Sequence, residues 1–452
     1  MPYLGPRLVI TGVGSGVGKT TVATGLMAAF AERGLRVSPA KVGPDFIDPG
    51  YHRVACGRAG RSLDAWLSGP ELIPSLTAAA GSDADLVVIE GVMGMFDGSG
   101  QAGCDGSTAE VARLIDAPVI LVVDVWTMSS SVAAVVHGLR DLDRRVKVAG
   151  VILNRVAGKG HETLCREALE PLDVPVLGAI AHQENLTWRE RHLGLVPVAE
   201  HPAEVRAAIS EVAAIVAASC DLEAILAVAR AAPRPFAGDP PSASHSGDIT
   251  LALASGPAFS FVYPENLTLL EQAGARLAPF DPLVDRALPE DCHALFAGGG
   301  FPEVFGEALS QNFPLMQSIR ERIDDGMVVW AECGGLLWLC RSLDGLEMVG
   351  AIDADAEMTE TLTIGYREAV TNAPSPLGPA GSKLRGYEFH RTHTCPAGDA
   401  LSLRSRFGTA AEGFSSERLL ATYLHQHLSA SPVVAERFVA TASAAAGNGA
   451  SA

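Results

Sequence analysis

The chain has 452 residues, with 34 Lys and Arg against 52 Asp and Glu, and a formal net charge of −18. At ~100–200 residues per domain that length predicts two to four domains, and 48% hydrophobic against 19% charged residues is not the composition of a disordered chain. The acid excess excludes a general nucleic-acid binder, which needs clustered Lys and Arg, and offers no polybasic patch to an anionic membrane. Small-molecule ligands, held at a local anion site, are the expectation that survives.

In chain order, Leu8-Val9-Ile10 runs into a Gly-rich loop with no basic n-region and no small-residue cleavage site, so no targeting segment is expected. No apolar run reaches the ~18 residues of a bilayer span. Eight scattered Cys without a C-x-x-C pair read as reduced thiols of a cytoplasmic protein. Short apolar runs predict strands at Arg7–Thr11, Arg36–Lys41, Leu86–Glu90, Val119–Asp124, Val148–Asn154 and Val176–Ile180, alternating with helical segments. Parallel strands buried on both faces have this unbroken Val/Ile/Leu character, so residues 1–232 predict a doubly wound α/β domain. Residues 233–247, rich in Pro, Ser and Gly, read as a linker. The alternation resumes with Ile249–Ala254, Ala294–Ala297 and Met327–Ala331, predicting a second doubly wound α/β domain over 248–442. The Ala/Gly/Ser tail 443–452 reads as frayed.

The first chemical motif is Thr11-Gly-Val-Gly-Ser-Gly-Val-Gly-Lys-Thr-Thr21, between a strand and a helix. The amides of Gly14, Ser15, Gly16, Val17 and Gly18 are placed to cradle phosphates at a helix N-terminus. Lys19 reaches the outer phosphates, Thr20 ligates Mg²⁺ and Thr21 follows in the same turn. Strict G-x-x-x-x-G-K-[ST] spacing asks for Gly where Val13 stands; Gly12 is one place early. Asp45 and Asp48 lie on a loop after the second strand and Glu90 ends the third, with Asp97 on the Gly-flanked loop beyond it. Strand tips are where open α/β sheets bind ligands, and carboxylates there suit Mg²⁺ with phosphate. Each acid alone reads more readily as a turn or surface residue; three strand tips converging beside a phosphate loop are what make the group a candidate site.

The second half carries other chemistry. Met327-Val-Val-Trp-Ala-Glu-Cys333-Gly-Gly is a strand followed by a nucleophile at a helix start. Cys340, within the following predicted helix, reads as an inert core thiol. Gly298-Gly299-Gly300 at another strand end offers oxyanion donors, and His425 in Tyr423-Leu-His-Gln-His427 supplies the base.

Glu332-Cys-Gly-Gly335 with Tyr423-Leu-His425 resembles the class I, triad-type glutamine amidotransferases, which implies a flavodoxin-like second domain. The common elbow has Gly where Ala331 stands, and Glu where His427 stands. In the second respect the chain resembles the cobyrinic and cobyric acid synthase branch, which works as a Cys–His pair; His427 joins the candidate catalytic set by position. The first half resembles dethiobiotin synthetase-like P-loop enzymes, displaced glycine included. Together with Lys41-Val-Gly-Pro-Asp-Phe-Ile-Asp-Pro49 and Arg385-Gly-Tyr-Glu-Phe-His390, the whole chain is similar to the cobyrinic and hydrogenobyrinic acid a,c-diamide synthase family.

That resemblance implies a ligase with MgATP as co-substrate. Cys333 would attack glutamine, His425 would act as base, and Gly299 and Gly300 would donate to the oxyanion. Lys19, Thr20, Asp45 and Glu90 would handle phosphate and metal, and Asn154 the adenine. Asp48 and Asp97 would position the macrocycle's carboxylates, with Tyr263 and Tyr387 either facing it or packing. A homodimer is also implied. Cobyric acid synthase and nickel-sirohydrochlorin a,c-diamide synthase are the sister readings. A partition-type P-loop switch ATPase is the rival from another class; it would carry a signature Lys near Gly14 and has no use for Cys333 and His425.

Overall fold

A computed structural model describes residues 3–98, 106–183, 190–191, 194–195, 198 and 201–449; Cys104 and residues 450–452 lie outside them. The chain divides into two compact units, Met1–Pro240 and Pro241–Ala452. Among the described residues no helix is long and apolar enough to cross a membrane, and the seven described cysteines are free thiols.

The first unit contains β1 (Arg7–Gly12), β2 (Val37–Val42), β3 (Arg61–Leu63), β4 (Leu86–Glu90), β5 (Val119–Asp124), β6 (Val148–Val156) and β7 (Val176–Ala181), with a two-residue pair, β8 (Glu190–Arg191) and β9 (Gly194–Leu195). Strands β1 to β7 form one sheet in the order β3-β2-β4-β1-β5-β6-β7, parallel throughout. Strand side chains alternate between faces. Leu8 and Ile10 therefore enter the core beneath helix Lys19–Glu32, while Val9 enters the core on the other face. The order reverses at β1, so the loop after β1 opens at a topological switch point.

The second unit contains β10 (Ile249–Ala254), β11 (Ala275–Phe280), β12 (Ala294–Ala297) and β13 (Val328–Glu332). These are followed by β14 (Cys340–Leu343), β15 (Leu346–Glu347), β16 (Ile352–Thr371), β17 (Lys383–Cys395) and β18 (Leu401–Ser405). Its last strands are β19 (Gly408–Glu412), β20 (Phe414–Ser416), β21 (Leu419–Thr422) and β22 (His425–Gln426). The main sheet runs β11-β10-β12-β13-β21-β20. Val329 and Ala331 of β13 face one core, Val328 and Trp330 the other, where Trp330 stacks on Phe296 with ring centroids 4.4 Å apart.

Three features differ from the sequence expectation. A second sheet, β15-β14-β16-β17-β22 with β18 and β19 attached, is built around the antiparallel β16–β17 pair. Helix Gly334–Leu339 stops early, so Cys340 starts β14; the thiol is buried, its pKa pushed up to about 12 by that burial, as an inert thiol requires. The expected frayed tail is instead helical to Gly449. Val434, Ala435, Phe438, Val439 and Ala442 anchor that helix in the core, and the alanines that follow favour its continuation. The stretch 233–247 is tied down at both ends: the Leu4 N–H donates to the Pro235 carbonyl at 3.1 Å in the first unit, and the Ser244 N–H to Glu436 at 2.7 Å in the second.

Candidate active site

In the first unit, Gly16 and Gly18 of the loop after β1 adopt φ 78° and 95°, which glycine enters without a Cβ penalty. A Cβ on Gly18 would also collide with the Asn154 amide. That amide donates to the Val17 carbonyl at 2.9 Å, so Asn154, near the end of β6, braces the loop. Lys19 begins the helix and its ammonium folds back to the Gly14 carbonyl at 2.6 Å. Burial, and then Lys41, holds the Lys19 pKa below the usual lysine value.

Beside the loop the Thr20 hydroxyl donates to Glu90 Oε1 at 2.7 Å and lies 3.4 Å from Asp48 Oδ2. Lys41, given no role by the sequence beyond ending a strand and opening a family motif, is buried at their centre, with Nζ 2.5 Å from Asp48 and 2.8 Å from Glu90. His52 Nε2 meets the other Glu90 oxygen at 2.6 Å. Asp45 is displaced from this group. Its Oδ1 accepts the Ile47 and Asp48 N–H groups at 2.7 and 3.3 Å, tying down the helix Ile47–Cys56, and its other oxygen is 3.8 Å from Lys41. Of the two aspartates it is Asp48, in the first turn of that helix, that faces Thr20, where the sequence reading put Asp45 beside the metal. Asp97 is exposed, accepts the Gly94 N–H at 2.8 Å, and lies near enough to Lys19 to act on its charge.

Three acids around one ammonium leave surplus negative charge. Burial pushes Asp48 well above the usual carboxylate range, and Asp45 and Glu90 add to the shift. Burial also acts upward on Glu90, but Lys41 and His52 outweigh it and keep Glu90 ionised. Lys41 stays protonated despite its burial because Asp48 and Glu90 flank it. Among the described residues no three His, Cys, Asp or Glu side chains group as a metal cluster. Mg²⁺ seldom needs one, since it keeps waters and phosphate oxygens as ligands. Thr20, Asp48 and Glu90 are a hard-oxygen set carrying the surplus charge that a divalent cation would relieve, so the residues fit the ion.

In the second unit Cys333 follows β13 at φ 47°, ψ −102° and caps the helix Gly334–Leu339. A non-glycine residue held there is strained; its N–H is fixed by the Thr422 carbonyl at 2.7 Å. Burial, then Glu303, raises the thiol pKa, and the Gly334 N–H acts against them, so the resting nucleophile is a thiol in need of a base. His425 lies three residues beyond Thr422, buried, its pKa pushed down to about 3 by burial and then by His390. A neutral imidazole is free to take a proton. A Cβ on Gly299 would strike the His425 ring, and one on Gly334 would come within 3.0 Å of the Gly300 nitrogen. Glycines thus let the base, the elbow and the 298–300 loop converge.

Two expectations change here. The Gly299 N–H is committed to the Phe261 carbonyl at 3.1 Å, because the two residues form a β-bridge. With the Gly300 nitrogen packed against Gly334, the residue after the nucleophile, the amides of Gly300 and Gly334 remain as the oxyanion candidates. Tyr263 is only 2% exposed, packed with its ring centroid 4.8 Å from that of His427, and has no face for a macrocycle. Tyr387 lies opposite His425 in the β17–β22 register and packs edge-on to Tyr366 at 5.2 Å. His427 Nε2 is 3.8 Å from Glu265, and Asn266 clamps this strand by donating to the Gln426 carbonyl and accepting the Leu428 N–H.

Residues 8–196 match the CobQ/CobB/MinD/ParA nucleotide-binding domain and residues 250–433 the CobB/CobQ-like glutamine amidotransferase domain. The chain is 47% identical to the hydrogenobyrinate a,c-diamide synthase of Streptomyces coelicolor, covering 96% of this chain and 97% of that one. Identity is 44% to the enzyme of that name from Thermobifida fusca, with 97% of each covered. It is 38% to the cobyrinate a,c-diamide synthase of Synechococcus, with 96% and 97% covered. With a nucleotide-binding unit and an amidotransferase unit in one chain, and these relatives along its whole length, the protein belongs to the a,c-diamide synthase family.

Proposed function

We propose that the chain amidates the a and c side-chain carboxylates of hydrogenobyrinic acid, using ATP and glutamine, in cobalamin biosynthesis. The observation that carries the substrate is the full-length likeness, 47% and 44% to hydrogenobyrinate synthases against 38% to a cobyrinate synthase.

The residues divide the work between the units. A carboxylate oxygen of the macrocycle attacks the γ-phosphorus of ATP, and ADP leaves. Loop amides and Lys19 hold the phosphates during that step. Thr20, Asp48 and Glu90 would hold magnesium, which when bound neutralises charge on the transferring phosphate. Ammonia then attacks the acyl carbon of the acyl phosphate, and phosphate departs. In the second unit His425 takes the Cys333 proton as sulfur attacks the glutamine amide carbon. The amides of Gly300 and Gly334 stabilise the oxyanion, and His425 returns the proton to the departing ammonia. Water clears the glutamyl thioester. Asp97, on its exposed loop, would meet the macrocycle's carboxylates, and Asn154, which braces the phosphate loop, would meet the adenine.

The test offers metal-free and cobalt-containing macrocycles in parallel. The metal-free acid should gain two amides with the higher kcat/KM; equal or inverse preference rejects the substrate assignment. Cys333→Ala should lose glutamine-dependent amidation by about 10³-fold or more while ammonia-dependent amidation survives. Lys19→Ala should fail with either nitrogen source. A folded Cys333→Ala chain inactive with ammonia would overturn the division of labour.

A further inference from the structure

The position two residues beyond the base holds Glu in the common triad, and here it holds His427, whose ring is turned to Tyr263 and Glu265. An acid stands elsewhere. Glu332 is 2% exposed, and its Oε2 lies 3.8 Å from His425 Nδ1. Its other oxygen accepts the Gln426 N–H at 3.1 Å. β13 and β21 pair in register, Glu332 opposite Thr422, so one strand end carries Glu332 and Cys333 while the neighbouring strand leads to His425.

We propose that Glu332, the residue directly before the nucleophile, is the positioning acid for His425, replacing the missing triad glutamate from another place in the chain. This rests on reading the second unit as a glutaminase. Gly299 lies against the Cε1 edge of the ring and Glu332 lies toward Nδ1, so Nε2 is the nitrogen that takes the proton. The Cys333 S–H bond breaks as the bond from sulfur to the glutamine amide carbon forms. Nε2 holds the proton as imidazolium and returns it to the nitrogen when the C–N bond breaks, giving ammonia and a thioester. Glu332 takes no proton in the step; it orients the ring through Nδ1 and fixes the tautomer, and the imidazolium forming beside it offsets the burial that otherwise pushes its carboxyl well above the usual range. The resting 3.8 Å is too long for a hydrogen bond. Such contacts tighten once substrate binds.

Glu332→Gln separates this role from a structural one, because the amide oxygen can still accept the Gln426 N–H. Glutamine hydrolysis by the full chain, with ATP and macrocycle present, should lose about 10²-fold in kcat while KM for glutamine stays within about threefold. Ammonia-dependent amidation should be retained, Glu332→Asp should recover at least about tenfold over Glu332→Gln, and His427→Gln should lose less than about tenfold. Glu332→Gln hydrolysing glutamine at the unaltered rate overturns the positioning role alone. Loss of ammonia-dependent amidation as well makes Glu332 a folding residue and also overturns it. An unaltered chain that hydrolyses no glutamine overturns the reading of the unit, and this proposal with it.

Discussion

Lys41 shows how one side chain is shared between stability and chemistry. Its ammonium sits among Asp48, Glu90 and, farther off, Asp45, where removing one partner of a buried ion pair leaves uncompensated charge. Lys41→Met should therefore destabilise the first unit by about 3–5 kcal/mol in urea unfolding. Millimolar Mg²⁺ should restore part of this loss, and should raise the melting temperature of the variant more than that of the unaltered chain. Equal Mg²⁺ shifts would mean that Thr20, Asp48 and Glu90 do not receive the ion. Nothing in the sequence separated Lys41 from its strand, Val-Ser-Pro-Ala-Lys-Val, because a lysine at a strand tip reads as solvated until its three acidic neighbours arrive from other segments. Glu332 escaped notice for a related reason: beside Cys333 it looked like part of the motif, and its partner is 93 positions away.

At the scale of elements, legibility followed burial. β1, β4, β5, β10 and β12 are dominated by Val, Ile, Leu and Ala and are buried on both faces almost throughout, so their runs stood out. β16 spans Ile352–Thr371, with its side chains ranging from buried to exposed and a register shift between Met358 and Thr363. Its Asp, Glu and Thr residues gave no apolar run, and β3, three residues long, gave too short a pattern. β22 and the residue after it carry a testable cost. The pKa of His427 is pushed down to about 4 by burial, from 6.5. Between those values the unfolded chain binds a proton that the folded chain refuses, so the histidine's contribution to stability falls as pH falls from 6.5 towards 4. Relative to His427→Gln, which cannot titrate, the unaltered chain should lose up to ~1.4 kcal/mol per pH unit across that window. Urea denaturation of both proteins at pH 7, 6 and 5 measures the gap; a constant gap would show that His427 titrates normally.

For the whole molecule the net charge of −18 sets a condition on every substrate. ATP and a macrocyclic polyacid are anions, so the long-range field opposes their approach, and attraction must come from groups close to the phosphates. Lys19 and Lys41 are 7% and 3% exposed, and the loop amides are fixed dipoles, so these groups act at short range where salt screens weakly. The repulsion, in contrast, acts across solvent. Raising ionic strength from about 0.01 M to about 0.1 M shortens the Debye length from roughly 30 Å to roughly 10 Å, which removes most of the repulsion and little of the local attraction. kcat/KM for the macrocycle and for MgATP should therefore rise, by about two- to fivefold. Glutamine, a zwitterion without net charge, should keep a flat profile and serve as the internal control. A fall for the two anions would mean that exposed basic residues steer them, and would contradict binding by buried lysines and backbone amides.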